Sequence, residues 1–419
     1  MKVLYFHQHF STPKGSTGNR SYEMARALIA AGHEVTMVCG SYSGGHTGLE
    51  VNFVKGRREG TVDGIHIIEF NLAYSNHDPF FKRSLTFLSF ALKSIRIALT
   101  HKYDLVFATT TPLTAGIPGI FARWLRRKPF VFEVRDLWPE LPKAMGVITN
   151  PVILWAMSCL EWMSYRSAHH CIGLAPGIVD GIAARGVKRE RISLIPNGCD
   201  ITLFQSAVKA AKRPEGIKDD KFLAIYGGTH GYANGLISVI DAATVLKERG
   251  RDDIHFALIG QGVEKADLQK EAAARALDNV SFYAPVPKTE LASYFAGADI
   301  GLQMLANVPA FYYGTSPNKF FDYLSAGKPV LTNYPGWVAD MINENECGWA
   351  VPPKEPEAFA DALEEAAAQK KRLPEKGKKA LALAKRDFNR ETLAQSFKNV
   401  LEQVAKTKSV SVAGGKDHA

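Results

Sequence analysis

Residues 3–38 read VLYFHQHFSTPKGSTGNRSYEMARALIAAGHEVTMV, and this stretch decides the fold. Val3–Phe6 is a short apolar run of buried-strand type, and Gly15-Ser-Thr-Gly18 is a glycine loop. Ser21–Ala31 has helical character and is stopped by Gly32, after which Glu34–Val38 forms a second strand. Strand, loop, helix and strand in such close succession make a βαβ unit and imply a parallel sheet.

Working outward, the first half predicts further strands at Gly64–Phe70, Leu105–Thr109, Phe130–Val134, Cys171–Leu174 and Ile192–Ile195. Helical stretches lie between most of them, Pro151–Ser167 among these. The pattern pauses at Asn197-Gly-Cys-Asp200, and Lys209–Lys221 reads as a polar linker. A second series of strands then starts at Phe222–Tyr226 and continues through Ile254–Ile259, Val280–Tyr283, Ile300–Met304, Pro329–Thr332 and Gly348–Val351. The expected fold class is therefore α/β, with two doubly wound Rossmann-like domains in tandem at 1–200 and 201–385. A C-terminal helix at 386–405 is expected to pack back on the first domain, followed by a disordered tail at 406–419. Such sheets bind ligands at the carboxyl ends of their strands, which makes a cleft between two domains the natural site.

The composition sets outer limits. With 46% hydrophobic and 22% charged residues over 419 positions, the chain is a globular protein large enough for two cores. Five scattered cysteines without a C-x-x-C pair argue for a reducing compartment and against a zinc site or disulfide framework. Met1–His7 lacks a signal-peptide pattern, and Leu105–Ala122 carries prolines and threonines that disqualify it as a span. The expectation is a cytoplasmic protein, or one peripheral on the inner face of the cytoplasmic membrane.

The net charge of +9 is concentrated in residues 81–128, where nine Lys or Arg face a single acid, Asp104. Within that region Leu85, Leu88, Leu92, Ile95 and Leu99 recur at helical spacing, widened by Phe81, Phe87 and Phe90. Two readings stand level: a basic amphipathic helix on an anionic membrane surface, or a core-facing helix whose outer face is basic. Nucleic acid is not an expected partner, because no recognition motif accompanies the charge.

Several segments could carry chemistry. Ser316-Pro-Asn-Lys-Phe-Phe-Asp-Tyr-Leu-Ser-Ala-Gly327 places Lys319 and Asp322 one turn apart at a helix start, before the apolar Lys328-Pro-Val-Leu331. Free N–H groups and a cation suit a phosphate, whereas a carboxylate accepts hydrogen bonds from sugar hydroxyls. The bland alternative is an ordinary αβ unit with a charged first turn. Gly227-Gly228-Thr229-His230-Gly231, with Asn234 beyond it, ends a strand where a diphosphate could approach the backbone. Gly260-Gln-Gly262 leaves similar room after the next strand. In the first domain Glu133-Val-Arg135-Asp136-Leu-Trp-Pro-Glu140 ends a strand with two readings. Arg135 could pair a phosphate while Asp136 or Glu140 orients an acceptor hydroxyl, or an Arg–Asp pair could simply hold the loop.

The Gly15–Gly18 loop lacks the G-x-G-x-x-G pattern, and Cys39-Gly40 stands where a dinucleotide site wants an acid. NAD is therefore disfavoured. No Asp-x-Asp, H-E-x-x-H, G-x-S-x-G or G-x-x-x-x-G-K motif occurs, so metal-dependent transferase, zinc protease, serine hydrolase and P-loop chemistry are not indicated.

Together these segments resemble retaining glycosyltransferase family 4, which has the GT-B architecture of two Rossmann-like domains. The resemblance rests on Gly15–Gly18, Gly32-His-Glu-Val35, Ile195-Pro-Asn-Gly-Cys-Asp200, Leu258-Ile-Gly-Gln-Gly262, Ala298-Asp-Ile300 and Lys319–Val330. Val134-Arg-Asp-Leu-Trp-Pro139 with Ser316-Pro-Asn-Lys319 is similar to the branch that builds colanic acid, O-antigen and capsule. The resemblance implies a metal-independent enzyme without cofactor that moves a sugar from a UDP-sugar, in that branch often an N-acetylated amino sugar, with retention. The acceptor would be polyprenyl-linked or another saccharide in cell-surface polysaccharide or lipopolysaccharide biosynthesis.

It further implies nucleotide-sugar contacts at Gly18, Gly228, Thr229, His230, Asn234, Gly262, Val286, Lys319 and Asp322, and catalytic roles for Arg135, Asp136 and Lys319. Asp322 matches the family's ribose-binding carboxylate. Thr229 and Asn234 stand where the family has an Arg and a Lys for the diphosphate, and Gly314 replaces the first Glu of its E-x7-E motif. Lys319, Arg135 and backbone N–H groups are then left to hold the diphosphate. A nucleotide-sugar 2-epimerase and a non-catalytic nucleotide-sugar-binding protein are the alternatives.

Overall fold

The structure is a computed structural model that describes residues 1–15, 18–42, 44–74 and 78–413. Ser16 and Thr17, inside the glycine loop, lie outside the described residues. The chain divides into two compact units. The first comprises Met1–Pro196, Gly314–Ser316 and the segment from Glu391 on; the second comprises Asn197–Tyr313 and Pro317–Arg390.

The first unit contains β1 (Lys2–Phe6), β2 (Glu34–Gly40), β3 (Arg57–Val62), β4 (Ile65–Phe70), β5 (Leu105–Thr109), β6 (Phe130–Val134), β7 (His170–Gly173) and β8 (Ile192–Leu194). They form one sheet in the order β3-β4-β2-β1-β5-β6-β7-β8, parallel except for the β3–β4 pair. β5 and β6 are buried along their whole length, which is why they read as unbroken apolar runs. The helices of this unit are α1 (Arg20–Ala30), α2 (Phe80–Thr100), α3 (Ile117–Leu125), α4 (Glu140–Ala144), α5 (Pro151–Ser167) and α6 (Pro176–Ala184).

β3 is absent from the sequence expectation. Its residues Arg57-Arg-Glu-Gly-Thr-Val are polar, as suits an edge strand that must resist further pairing. Asp63 (φ +50°) and Gly64 (φ +82°) link the paired residues Val62 and Ile65, which is a type I′ hairpin turn. The Asp-Gly dipeptide was the available signal.

The apolar stripe of α2 lies only partly in the core. The buried face consists of Phe90, Ala91, Ser94, Ile97 and Ala98. The stripe is divided: Phe90 joins the buried face and Phe87, Ile95 and Leu99 are half-buried, whereas Phe81, Leu85, Leu88 and Leu92 are exposed.

The second unit contains β9 (Phe222–Gly227), β10 (Ile254–Ile259), β11 (Val280–Tyr283), β12 (Ile300–Gln303), β13 (Val330–Thr332) and β14 (Gly348–Ala350), all parallel. Their order β11-β10-β9-β12-β13-β14 is that of a Rossmann sheet, with its switch point between β9 and β12. In the first unit the equivalent point lies between β1 and β5. The connecting helices are α7 (Ile201–Ala207), α8 (Ile237–Glu248), α9 (Lys265–Ala274), α10 (Lys288–Gly297), α11 (Pro309–Tyr312), α12 (Asn318–Ser325), α13 (Trp337–Glu344), α14 (Pro356–Ala368) and α15 (Leu373–Asp387). The expectation lacked α15, although Leu373, Gly377, Ala380, Leu383 and Ala384 give it a buried face at helical spacing.

The last helix, α16 (Arg390–Ala413), continues past Ala405, where a disordered tail was expected to begin. It adds Leu393, Ala394, Phe397 and Leu401 to the first unit's core, with Phe397 edge-on to Phe107 at 4.9 Å. His33 bonds Glu402 at 2.9 Å beside that contact. The second unit's core is separate, built from Tyr226, Ile240, Phe256, Leu302, Phe359 and their neighbours.

Candidate functional site

At the second unit's switch point, β9 runs out into Gly228, Thr229 and His230. This turn is packed against the end of β10: a Cβ on Gly260 would meet the Gly228 carbonyl oxygen, and one on Gly262 would meet the His230 backbone. Only glycine permits that approach. The Gly262 position thus shapes the 228–230 turn. Lys265, opening α9, donates to the carbonyls of Gly260 (2.8 Å) and Tyr283 (2.7 Å) and ties the two strand ends together.

Lys319 reaches this turn from the first turn of α12. Its ammonium lies 5.1 Å above the Tyr226 ring and donates to Asn234 Oδ1 at 3.2 Å. Its side chain also lies against Gly228, where an added Cβ would come within 3.0 Å of Cδ. Burial brings the Lys319 pKa down to about 8, against the pull of Asp322. The structure therefore brings Gly228, Asn234 and Lys319 together, although 85 residues separate the last two. His230 is fully buried, and neither ring nitrogen has a protein partner. Burial, then Lys265 and Lys319, lower its pKa to about 4, so the ring is neutral at physiological pH. Thr229 contributes its carbonyl, which accepts from the Tyr226 hydroxyl at 2.7 Å.

Asp322 pairs with Lys288, the first residue of α10, at 3.2 Å. Burial raises the carboxyl pKa, and Lys288 and Arg390 oppose that rise. Val286 lies two residues before Lys288, between β11 and α10. Lys288 was not a sequence candidate, because its partnership with Asp322 joins two helices distant in sequence.

In the first unit, the sequence candidates at the end of β6 are part of a buried polar network. Arg20 donates to Glu133 Oε2 from Nε (3.1 Å) and Nη2 (2.9 Å), and to the carbonyls of Ile195 (2.8 Å) and Pro196 (2.6 Å). Thr109 donates to Glu133 Oε1 at 2.7 Å. Arg135 Nε donates to Thr109 Oγ1 (2.9 Å) and Glu133 Oε1 (3.3 Å), and its Nη2 donates to Ser21 Oγ at 2.8 Å. Burial would raise the Glu133 pKa, but Arg20, Arg135 and these hydrogen bonds bring it below the usual value. The ion pair that holds this loop is thus Arg135–Glu133, not Arg135–Asp136. Asp136 is raised by burial, with Arg135 and Thr111 opposing. Gly18 lies exposed just before α1.

Sequence reading missed the segment after β1, at this unit's own switch point. His7 and Gln8 are buried, yet His7 Nδ1 and both amide atoms of Gln8 lack a protein partner. His9 packs against the rings of both Tyr42 (4.8 Å) and Tyr74 (4.5 Å). Burial, then Arg135, lowers both imidazoles, His9 to about 3, which keeps them neutral. The signal was the position itself: three polar residues directly after a buried strand.

Comparison with known proteins agrees with this layout. Residues 15–198 match the glycosyl transferase 4-like domain, and residues 208–382 match glycosyl transferases group 1. WcaI of Escherichia coli K12, named as a colanic acid biosynthesis glycosyl transferase, is 24% identical over 68% of this chain and 71% of its own length. Among solved structures, sucrose-phosphate synthase from Thermosynechococcus elongatus superposes with a TM-score of 0.74 at 18% identity, covering 97% of this chain and 99% of that one. HepE of Anabaena, solved with UDP, gives 0.68 at 18% identity over 96% and 100%. With both units matched in order along the chain, this protein belongs to glycosyltransferase family 4 and has the GT-B fold.

Proposed function

We propose that the protein transfers a sugar from a UDP-sugar, with retention, to a polyprenyl-linked or other saccharide acceptor in cell-surface polysaccharide biosynthesis. The observation that carries this reading is the placing of Lys319 beside Gly228 and Asn234. The family holds the donor diphosphate with an Arg and a Lys at the positions of Thr229 and Asn234. Here the Lys319 ammonium stands at Asn234 instead, so a cation returns to that spot from another element. Asp322, held by Lys288, is suited to accept from the ribose hydroxyls.

Catalysis then rests on stabilising the departing diphosphate with Lys319 and on positioning both substrates. The N–H groups of Gly228 and His230 are not available for this, since they donate to the carbonyls of Ile259 (2.9 Å) and Gln261 (3.0 Å). No step needs a metal or cofactor. In the first unit, the unpaired amide of Gln8 and the imidazole of His7 offer both donors and acceptors to acceptor hydroxyls. Asp136 is assigned to the same end of the sheet, as an acceptor contact. An N-acetylated amino sugar is the donor group favoured by the likeness to colanic acid, O-antigen and capsule enzymes.

The test is a donor screen with the purified chain and a prenyl-diphosphate-linked saccharide, followed by NMR of the product's anomeric configuration. Transfer with retention is expected. Donor altered without acceptor would make the protein an epimerase, and UDP binding without turnover would make it a non-catalytic binding protein.

A further inference from the structure

The outward faces of α2, α3 and α5 carry large apolar side chains that the described residues leave uncovered. On α2 the row is Phe81, Leu85, Leu88 and Leu92, with Phe81 73% and Leu92 60% exposed. α3 packs against both α2 and α5 and presents Trp124, whose indole N–H donates to Ser167 at the end of α5 (2.9 Å). On α5, Trp155 is 69% exposed and Trp162 about half exposed. Folded proteins rarely leave so many large apolar side chains exposed on adjoining helices without a partner.

The charge on the same helices is one-sided. α2, α3 and α5 carry six cations, of which Lys93, Arg96, Arg123 and Arg166 are the outward ones. Lys82 pairs with Asp78 at 2.7 Å, and half-buried Arg83 lies over the Tyr74 ring. The one acid of these three helices, Glu161, is buried and pairs with Arg185 at 2.7 Å. No helix of the described residues is long and apolar enough to cross a membrane.

We propose that this three-helix face seats the protein on an anionic lipid bilayer. Tryptophan and leucine side chains enter the boundary between headgroups and acyl chains, and the Lys and Arg side chains meet lipid phosphates. A nucleic acid would match the cations but not the leucine row. A second copy would match the leucines, but a two-fold interface sets this face against itself and brings like charges together. The docking supplies a partner for the function above, since a polyprenyl-linked acceptor resides in a bilayer. It is measured without sugar transfer, so either reading can fail alone.

The experiment is flotation of the full chain with vesicles of phosphatidylglycerol and phosphatidylcholine, against vesicles of phosphatidylcholine only. Binding to the anionic vesicles should be at least about tenfold tighter and should weaken with salt. Leu88→Glu with Trp155→Glu should weaken it about tenfold or more, while UDP affinity and the melting temperature stay as in the parent. A second pair, Lys93→Glu with Arg96→Glu, should abolish the preference for anionic lipid and leave the leucine row intact. Quenching of tryptophan emission by bromine-labelled acyl chains should fall in Trp155→Phe. Absent vesicle binding, binding indifferent to both pairs, or a solution dimer that Leu88→Glu with Trp155→Glu dissociates would overturn the proposal.

Discussion

Two clusters of charge end two strands in this molecule, and they are built on opposite terms. In the first unit, Glu133 accepts from Arg20, Thr109 and Arg135, while Arg135 also reaches Ser21 and Arg20 also reaches two carbonyls. Every named charge there is answered by the protein. In the second unit, Lys319 has one hydrogen bond to a neutral amide oxygen and a pKa pulled down by burial. Its neighbour His230 has no partner for either nitrogen. The first arrangement stabilises a fold, because buried charges must be paired. The second leaves capacity for a ligand, because a partly buried cation with weak partners gains most from a bound anion. Sequence position alone made the two clusters look alike.

The largest expected effect breaks the satisfied cluster. Arg20→Ala leaves Glu133 buried with only part of its compensation and should cost the first unit about 3 kcal/mol. Denaturant unfolding followed through a first-unit probe measures this. A loss under about 1 kcal/mol would mean that the network is not structural.

The same comparison predicts the reverse for Lys319. Lys319→Met should reduce UDP affinity by about ten- to a hundredfold, corresponding to about 1.5–3 kcal/mol for a charge-assisted hydrogen bond. It should leave the melting temperature unchanged or slightly higher, since a partly desolvated ammonium with one weak partner disfavours the fold. Isothermal titration and calorimetry on one preparation read both. Lower stability together with unchanged UDP affinity would place Lys319 with Arg20, and the contrast would fall.

How much of this was legible in advance follows from which interactions are local. The βαβ opening, both parallel sheets and the α12 start were readable, because period, glycine stops and apolar runs are local properties. The β3 hairpin was masked by a polar edge strand, although Asp63-Gly64 announced its turn. Lys319 and Asp322 were visible as residue types at a helix start, but not their partners. Asn234 lies 85 residues from Lys319, and Glu133 lies 113 from Arg20. Pairings at that separation are fixed by the packing of whole sheets, which no window of sequence contains. The outward turn of the Leu85–Leu92 row was hidden for a related reason. α2 is apolar on two sides, and only the packed structure decides which one meets the core.

The depressed pKa of Lys319 gives a sharper form of the contrast. The lysine binds phosphate as the ammonium, so the affinity that depends on it is fully present below about pH 8. It should fall as pH rises through that value, approaching tenfold per unit. Bound diphosphate favours the charged form and moves the transition upward. Lys319→Arg, which stays charged, should flatten the profile between neutral and alkaline pH. A decline that persists in the arginine variant would belong to another group.

The smallest effect separates the two ends of the donor. Burial raises the Asp322 pKa and Lys288 opposes that rise, so Lys288→Ala should move it further up. The folded carboxylate is then lost earlier as pH falls, and nucleotide affinity should drop a few-fold at neutral pH and more under mildly acidic conditions. A ribose contact does not depend on the diphosphate, so uridine monophosphate and UDP should suffer about equally in Lys288→Ala. In Lys319→Met, by contrast, UDP should lose most of its advantage over the monophosphate. Asp322→Asn, which cannot titrate, should remove the acid-side dependence while retaining hydrogen-bonding capacity. If Lys288→Ala penalised UDP alone, Lys288 would itself be a phosphate ligand, and the second unit would hold its diphosphate with two lysines contributed by two helix starts.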